Sequence, residues 1–156
     1  MDDRQSVRAI VLNGDKVLAM KRNKFGSQYY TLIGGGVEAD EDLEAALRRE
    51  LREETGLEVG TVRQVFVEDG GAEYGLQYVY LCEYRGGDPQ LNPASGEALS
   101  SAMGQNTYEP VWLPLAELAQ VTFLSTSVRD ALLEGVHNGF PETTQTLAWK
   151  GKSVAR

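Results

Sequence analysis

Three glutamates, Glu50, Glu53 and Glu54, stand at i, i+3 and i+4 in a segment rich in helix formers. On a helical wheel turning ~100° per residue with Leu43 at zero, Leu47 falls at about +40° and Ala46 at about −60°. Glu50 falls at about −20°, Glu54 at about +20° and Glu53 at about −80°. The face that the first turns give to apolar side chains is therefore filled by carboxylates in the last turns, with Glu44, Arg48 and Arg52 on the other side. A solvated face does not normally continue the apolar stripe of its own helix. Like charges at this spacing repel, and a divalent cation among them turns that repulsion into binding. Hard cations such as Mg²⁺ take carboxylate oxygens and keep positions for water and phosphate oxygens. The bland alternative is a charged helix whose glutamates pair with Arg48, Arg49 and Arg52.

These carboxylates need a scaffold, and the flanking sequence supplies one. Residues 6–12 are apolar and β-branched and read as a strand. Asn13-Gly14-Asp15 is a hairpin turn, and residues 16–21 are the return strand. Residues 29–33 read as a third strand ended by Gly34-Gly35-Gly36. The helix is expected over residues 40–55, with Asp40 as N-cap, Glu41 and Asp42 at the positive end of its dipole, and Gly56 as the left-handed C-cap. Residues 62–68 and 76–84 read as an antiparallel pair around Asp69-Gly70-Gly71, with Leu76, Tyr78, Tyr80, Cys82 and Tyr84 on one face. Residues 86–108 form the longest polar stretch, too long for a simple turn. A short strand at 111–113, a short helix at 115–119 and a helix at 127–136 follow. Strands, a helix, more strands and a late helix argue for an α/β or α+β layer architecture with helices packed on a mixed sheet. Residues 1–140 read as one domain, and 141–156 as a tail that propensity does not place.

Composition narrows the function classes. The chain of 156 residues carries a formal net charge of −8, which argues against non-specific binding of nucleic acid, since that needs Lys and Arg on phosphates. Small anionic ligands remain compatible, because a bound divalent ion reverses the local charge. The one cysteine, Cys82, reads as a buried structural thiol, and a cytoplasmic setting is expected. No signal peptide and no membrane helix are expected. One histidine, His137, and one cysteine support no zinc site, and His137 reads as a capping or exposed residue near a helix end. Neither a nucleophile elbow nor a G-x-x-x-x-G-K-[ST] phosphate loop is present.

The longer pattern is more specific than the wheel. Gly35 is followed by Glu41, then by Arg49-Glu50-Leu51-Arg52-Glu53-Glu54-Thr55-Gly56-Leu57. This resembles the Nudix box, G-x5-E-x7-R-E-U-x-E-E-x-G-U with U aliphatic, at every fixed position. One departure is Ile33, where many members of that family have proline before the glycines. The resemblance implies a Nudix-type α/β/α sandwich with a mixed β-sheet between helices. It also implies a pyrophosphohydrolase that uses Mg²⁺ or Mn²⁺ to cleave a nucleoside diphosphate linked to another group. A nucleotide-sensing module on the same fold is the non-catalytic alternative, and a homodimer is common in the family.

By the same resemblance Glu50, Glu53 and Glu54 bind metal, Glu53 is favoured over Glu50 as general base, and Glu41 pairs with Arg49. Gly35 lets the backbone turn sharply beside the helix. A further acidic ligand often comes from the later loop, with Glu97 first and Glu109 second by position. Lys21, Arg22 and Lys24 precede the glycines and can meet substrate phosphates. Downstream marks leave the substrate open. The proline associated with ADP-ribose is missing at Ala72-Glu73, and the marks associated with NADH and coenzyme A are not seen. Tyr74, 17 positions beyond Leu57, fits the tyrosine associated with diadenosine polyphosphates, but fits base stacking or sheet packing as well.

Overall fold

A computed structural model of the chain describes residues 4–92, 104 and 106–150. Strands β1 (Gln5–Asn13) and β2 (Lys16–Lys24) form the expected hairpin through Gly14, at φ 59°. They are followed by β3 (Ser27–Thr31), β4 (Ile33–Gly36), helix α1 (Leu43–Thr55), β5 (Val59–Asp69), a helical turn α2 (Gly71–Tyr74) and β6 (Leu76–Tyr84). Then come β7 (Asn106–Pro114), a 3₁₀ helix (Leu115–Gln120), β8 (Phe123–Leu124), α3 (Thr126–Asn138) and β9 (Gln145–Leu147). Among the described residues the strands make one mixed sheet in the order β8-β3-β2-β1-β6-β5-β9, with β4 on β1 and β7 on β2.

Alternation along the strands divides the core into two layers. Val7, Ala9 and Val11 of β1 and Leu18 and Met20 of β2 pack with Ala46, Leu47 and Leu51 of α1. Ile10, Val17 and Ala19 point the other way, into a cluster with Leu118, Val128 and Leu132 from the 3₁₀ helix and α3. A helix thus covers each face of the sheet, as the α/β/α expectation requires. Tyr80 and Cys82 lie in the α1 layer, with Tyr78 and Tyr84 packed against it. Burial pushes the Cys82 thiol up to about 12, which fits an inert structural role.

The hairpin parts soon after its turn. β1 pairs with β2 at Leu12 and Asn13, whereas Ser6 to Ala9 pair instead with β4. This is where the structure corrects the expected end of the third strand. Gly34, Gly35 and Gly36 are not a terminator but a strand of their own, registered against Arg8, Val7 and Ser6. Ile33 is fully buried opposite Ala9, so its side chain fills core at the position where a proline would remove a donor.

Helix α1 also starts later than expected. Its N-cap is Asp42, whose Oδ1 accepts from Ala45 N–H at 2.7 Å. Asp40 sits at φ 64°, a left-handed conformation that aspartate tolerates, outside the helix. The C-cap is Gly56 at φ 73°, as expected. Two loop amides extend that end: Gln90 N–H donates to Thr55 O and Asn92 N–H to Glu53 O.

Further differences follow from pairing that propensity does not reveal. β7 begins at Asn106 because its first residues pair with the basic end of β2. Residues 145–147 add a parallel strand to β5, so part of the expected tail joins the sheet. His137 lies exposed in the last turn of α3. Among the described residues no helix is long and apolar enough to cross a membrane.

Candidate active site

Helix α1 aims its carboxylates in two directions. Glu50 and Glu54 continue the apolar face, 9% and 5% exposed, whereas the Glu53 side chain is 45% exposed. The Glu54 Oε1 atom accepts from Gly34 N–H at 3.0 Å. Glu50 lies under Gly35, where an added Cβ would stand 2.7 Å from Glu50 Oε1. The expected role of Gly35 is corrected accordingly: the residue permits close approach of strand and carboxylate, not a sharp turn. Burial raises the Glu50 pKa, opposed by Arg49 and by a hydrogen bond with Glu54.

Arg49 organises the rest. Its Nε and Nη2 grip Glu41 at 2.7 and 2.9 Å, a bidentate pair. Nη2 also donates to Gly36 O at 3.0 Å, and Nη1 reaches Glu50 at 3.0 Å and Glu53 at 3.2 Å. The expected Glu41–Arg49 pair is present, tying the loop before α1 to β4. Arg48, by contrast, donates to the carbonyls of Val59 and Gly60. The alternative of a charged helix whose glutamates pair with its arginines accounts for Glu44 with Arg48 and for Glu50 and Glu53 with Arg49, but not for the burial of Glu50 and Glu54.

The Arg49 hydrogen bonds, with the Glu38 N–H, hold the Glu41 carboxyl at about 2, well below its ordinary 4.5. A depressed carboxyl contributes stability that is present above the unfolded value and is lost as pH falls through the folded one. Glu41→Gln is therefore expected to lower Tm at neutral pH, with the gap to the parent protein closing between pH 4.5 and 2. Melting curves across that window check it.

A cleft of about 280 Å³ opens beside Glu54. Arg8, Arg22, Tyr29, Tyr74 and Tyr108 line it together with Glu54. The Arg22 guanidinium lies 3.7 Å from the Tyr108 ring centre and 5.6 Å from that of Tyr29, and its Nη2 donates to Asn106 Oδ1 at 2.6 Å. Strand alternation separates the basic residues of β2. Arg22 faces the cleft, whereas Lys21 is registered against Glu109, one position out of phase and thus on the opposite face. Lys24 is exposed at the strand end. The structure therefore removes Glu109 and Lys21 from the site, while Glu97 lies outside the described residues. Tyr74 does reach the cleft, with its ring 5.0 Å from that of Trp149.

The sequence reading missed Arg8. Half-buried at the floor of the cleft, it donates to Gln77 Oε1, Leu32 O and Gly34 O. Gly34 thus stands between Arg8 and Glu54, its C=O accepting from the first and its N–H donating to the second. Burial lowers the Arg8 pKa, opposed by Glu54 and Glu50. The signal in the sequence is one arginine inside an apolar, β-branched strand. Tyr29 and Tyr108 were also missed, because they meet only across β2 and the β2–β7 pairing that brings Tyr108 is nonlocal.

Among the described residues no three acidic, histidine or cysteine side chains converge on a single point. The donor set nevertheless fits a hard divalent cation. Glu50 and Glu54 are adjacent, buried and rich in oxygen lone pairs, Glu53 is one turn from Glu50 and half exposed, and the glycines of β4 let the backbone approach Glu50 and Glu54 closely.

Residues 2–132 match the NUDIX domain family. The chain belongs to the Nudix family. It is 30% identical over 115 residues to an NAD-capped RNA hydrolase, NudC, from Photobacterium profundum, covering 74% of this chain and 39% of that protein. A NudC from Deinococcus radiodurans is 32% identical, with 66% of this chain and 33% of the relative covered. The chain thus spans well under half the length of these curated relatives. An ADP-ribose pyrophosphatase from Streptococcus suis shares the fold with a TM-score of 0.64 at 22% identity, over 94% of this chain and 99% of that one. A MutT structure from work on Aliivibrio salmonicida and Vibrio cholerae does so with a TM-score of 0.63 at 23% identity, over 85% and 95%. The expected family and α/β/α sandwich are both borne out. Nudix hydrolases as a class act with a divalent metal, which agrees with the oxygen donors of this Nudix helix.

Proposed function

We propose that this Nudix protein hydrolyses a phosphoanhydride bond of a nucleoside diphosphate linked to another group, with Mg²⁺ or Mn²⁺ held by Glu50, Glu53 and Glu54. The supporting observation is that Glu54 stands on the wall of a cleft that also presents Arg8, Arg22 and three tyrosines. Acidic oxygens for a metal, cations for phosphate and aromatic faces for a base share one depression. The metal supplies Lewis-acid neutralisation of phosphate oxygens and a lower pKa for an attacking water.

The protein's own groups do the positioning. Arg22 is held over the Tyr108 ring with its Nη2 on Asn106, which fixes its charge at the wall of the cleft. Arg8 adds a second positive group behind Gly34. Water attacks phosphorus and the P–O bond to the leaving phosphate breaks. A carboxylate takes the water's proton, and Glu53 is assigned that role because it is half exposed and oriented by Arg49. A cytoplasmic location is part of the proposal, as is a small nucleotide substrate rather than a nucleic acid; a homodimer is the oligomeric state to test.

The test is a panel of nucleoside triphosphates, dinucleoside polyphosphates, nucleotide sugars and NAD-capped RNA, run with Mg²⁺, Mn²⁺ or EDTA and read by product mass. Expected is turnover with either metal and at least about a hundredfold loss in EDTA. Turnover that survives EDTA would reject the metal assignment. Binding without phosphate release under every condition would leave the nucleotide-sensing alternative.

A further inference from the structure

A second, smaller pocket of about 40 Å³ adjoins the cleft and shares Arg8, Thr31, Tyr74 and Leu124 with it. Its remaining walls include Leu32, Val128 and Trp149, with Glu68 and Ser125 supplying polar atoms. Glu68 is 1% exposed. Both its oxygens accept from Ser125 Oγ at 2.8 Å, and Ser127 Oγ donates to Oε2. Among the described residues no Lys, Arg or His lies within ion-pair distance of it. An ionised carboxylate has about four acceptor sites, and two serine hydroxyls supply two protons.

We propose that Glu68 is the recognition group of a nucleobase subsite that selects a guanine-type edge. The argument rests on reading the adjoining cleft as the diphosphate site. The inner pocket admits the edge of a planar ring, while sugar and phosphates stay in the larger cleft with Arg22 and Glu54. Leucine and valine side chains and the Tyr74–Trp149 ring pair make walls suited to a base.

Charge chemistry chooses the base. Burial raises the Glu68 pKa, and the Ser125 hydrogen bond and the N-terminus of α3, capped by Ser125, act against that rise on the side of the anion. An anionic carboxylate only accepts, and guanine offers two adjacent donors, N1–H and the 2-amino group. Adenine and cytosine set an acceptor beside their amino group, and uracil offers one donor flanked by acceptors. A buried site built to receive two donors discriminates strongly against bases that lack them. The helix N-terminus alone explains why a carboxylate is tolerated there, but not why it forms part of the pocket wall.

The test is calorimetric binding of GMP, IMP and AMP to the full chain, since none of these has a phosphoanhydride bond to cleave. GMP is expected to bind at least about tenfold more tightly than IMP or AMP. IMP lacks only the 2-amino group. Glu68→Gln replaces two acceptors by one acceptor and one donor, the pattern complementary to adenine, so the order of GMP and AMP is expected to reverse. An unchanged GMP to AMP ratio in that variant, with only a lower Tm, would reduce Glu68 to an anchor for α3 and overturn the proposal. If the variant does not fold, equal binding of GMP and IMP by the parent protein overturns it. Guanine-selective binding without hydrolysis of any guanosine polyphosphate would defeat the enzymatic reading and leave this subsite standing. Hydrolysis indifferent to the base would do the reverse.

Discussion

Glu54→Gln and Glu53→Gln are each expected to lower kcat by about two to four orders of magnitude while the protein stays folded. An amide keeps the size of the side chain and an oxygen acceptor, so Gly34 N–H can still be received at residue 54. Residue 53 is half exposed and pays little for the change in charge. On the proposed function, each variant loses a negative oxygen donor for a divalent ion, and residue 53 also a proton acceptor. Roughly 3–5 kcal/mol of transition-state stabilisation is at stake, with about 1.36 kcal/mol per tenfold in rate. Steady-state kinetics on the substrate found in the nucleotide panel, with circular dichroism to confirm the fold, gives the answer. Full turnover in both variants would place the chemistry elsewhere.

Gly34→Ala is expected to be the most damaging single-methyl change in the glycine strand. Gly34 has φ 152°, and an added Cβ would run into the Val7 carbonyl oxygen of the paired strand, a backbone atom without rotamers. Overpacking and strained backbone each cost about 1–3 kcal/mol. A combined loss of about 3 kcal/mol corresponds to a Tm lower by roughly 6–12 °C for a chain of this size. The adjacent glycines provide internal comparisons. A Cβ on Gly36 meets nothing within 4 Å, so Gly36→Ala should melt close to the parent protein. At Gly35 the obstacle is the movable end of Glu50, so that substitution should cost activity more than stability. Thermal melts of the three variants rank them, and equal Tm values for Gly34→Ala and Gly36→Ala would contradict the close approach of β4 to β1.

The elements that announce themselves in the sequence are those held by local rules. Asn13-Gly14 marks a turn, Gly56 ends a helix, and the period of Leu43, Ala46, Leu47 and Glu50 sets a helical face; all three hold in the fold. The Glu41–Arg49 pair was legible only through the resemblance, because the seven residues of loop and helix between them hide it from periodicity. Features that depend on distant partners stayed out of sight. Glycine run 34–36 is a strand because β1 leaves β2 and offers its edge. Arg22 and Tyr108 meet only through the β2–β7 register. Glu68 reads as the polar end of an apolar strand until α3 brings Ser125 and Ser127 over it.

The single guanidinium of Arg49 that touches Glu41, Glu50 and Glu53 has a consequence for how such a centre is built. Mutually repelling anions are hard to gather during folding unless something offsets them. A positive group carried on the same helix travels with them from the start. Assembly of the scaffold is thereby uncoupled from the supply of dissolved ions, and the divalent ion of the proposed function would be taken up after the chain has matured.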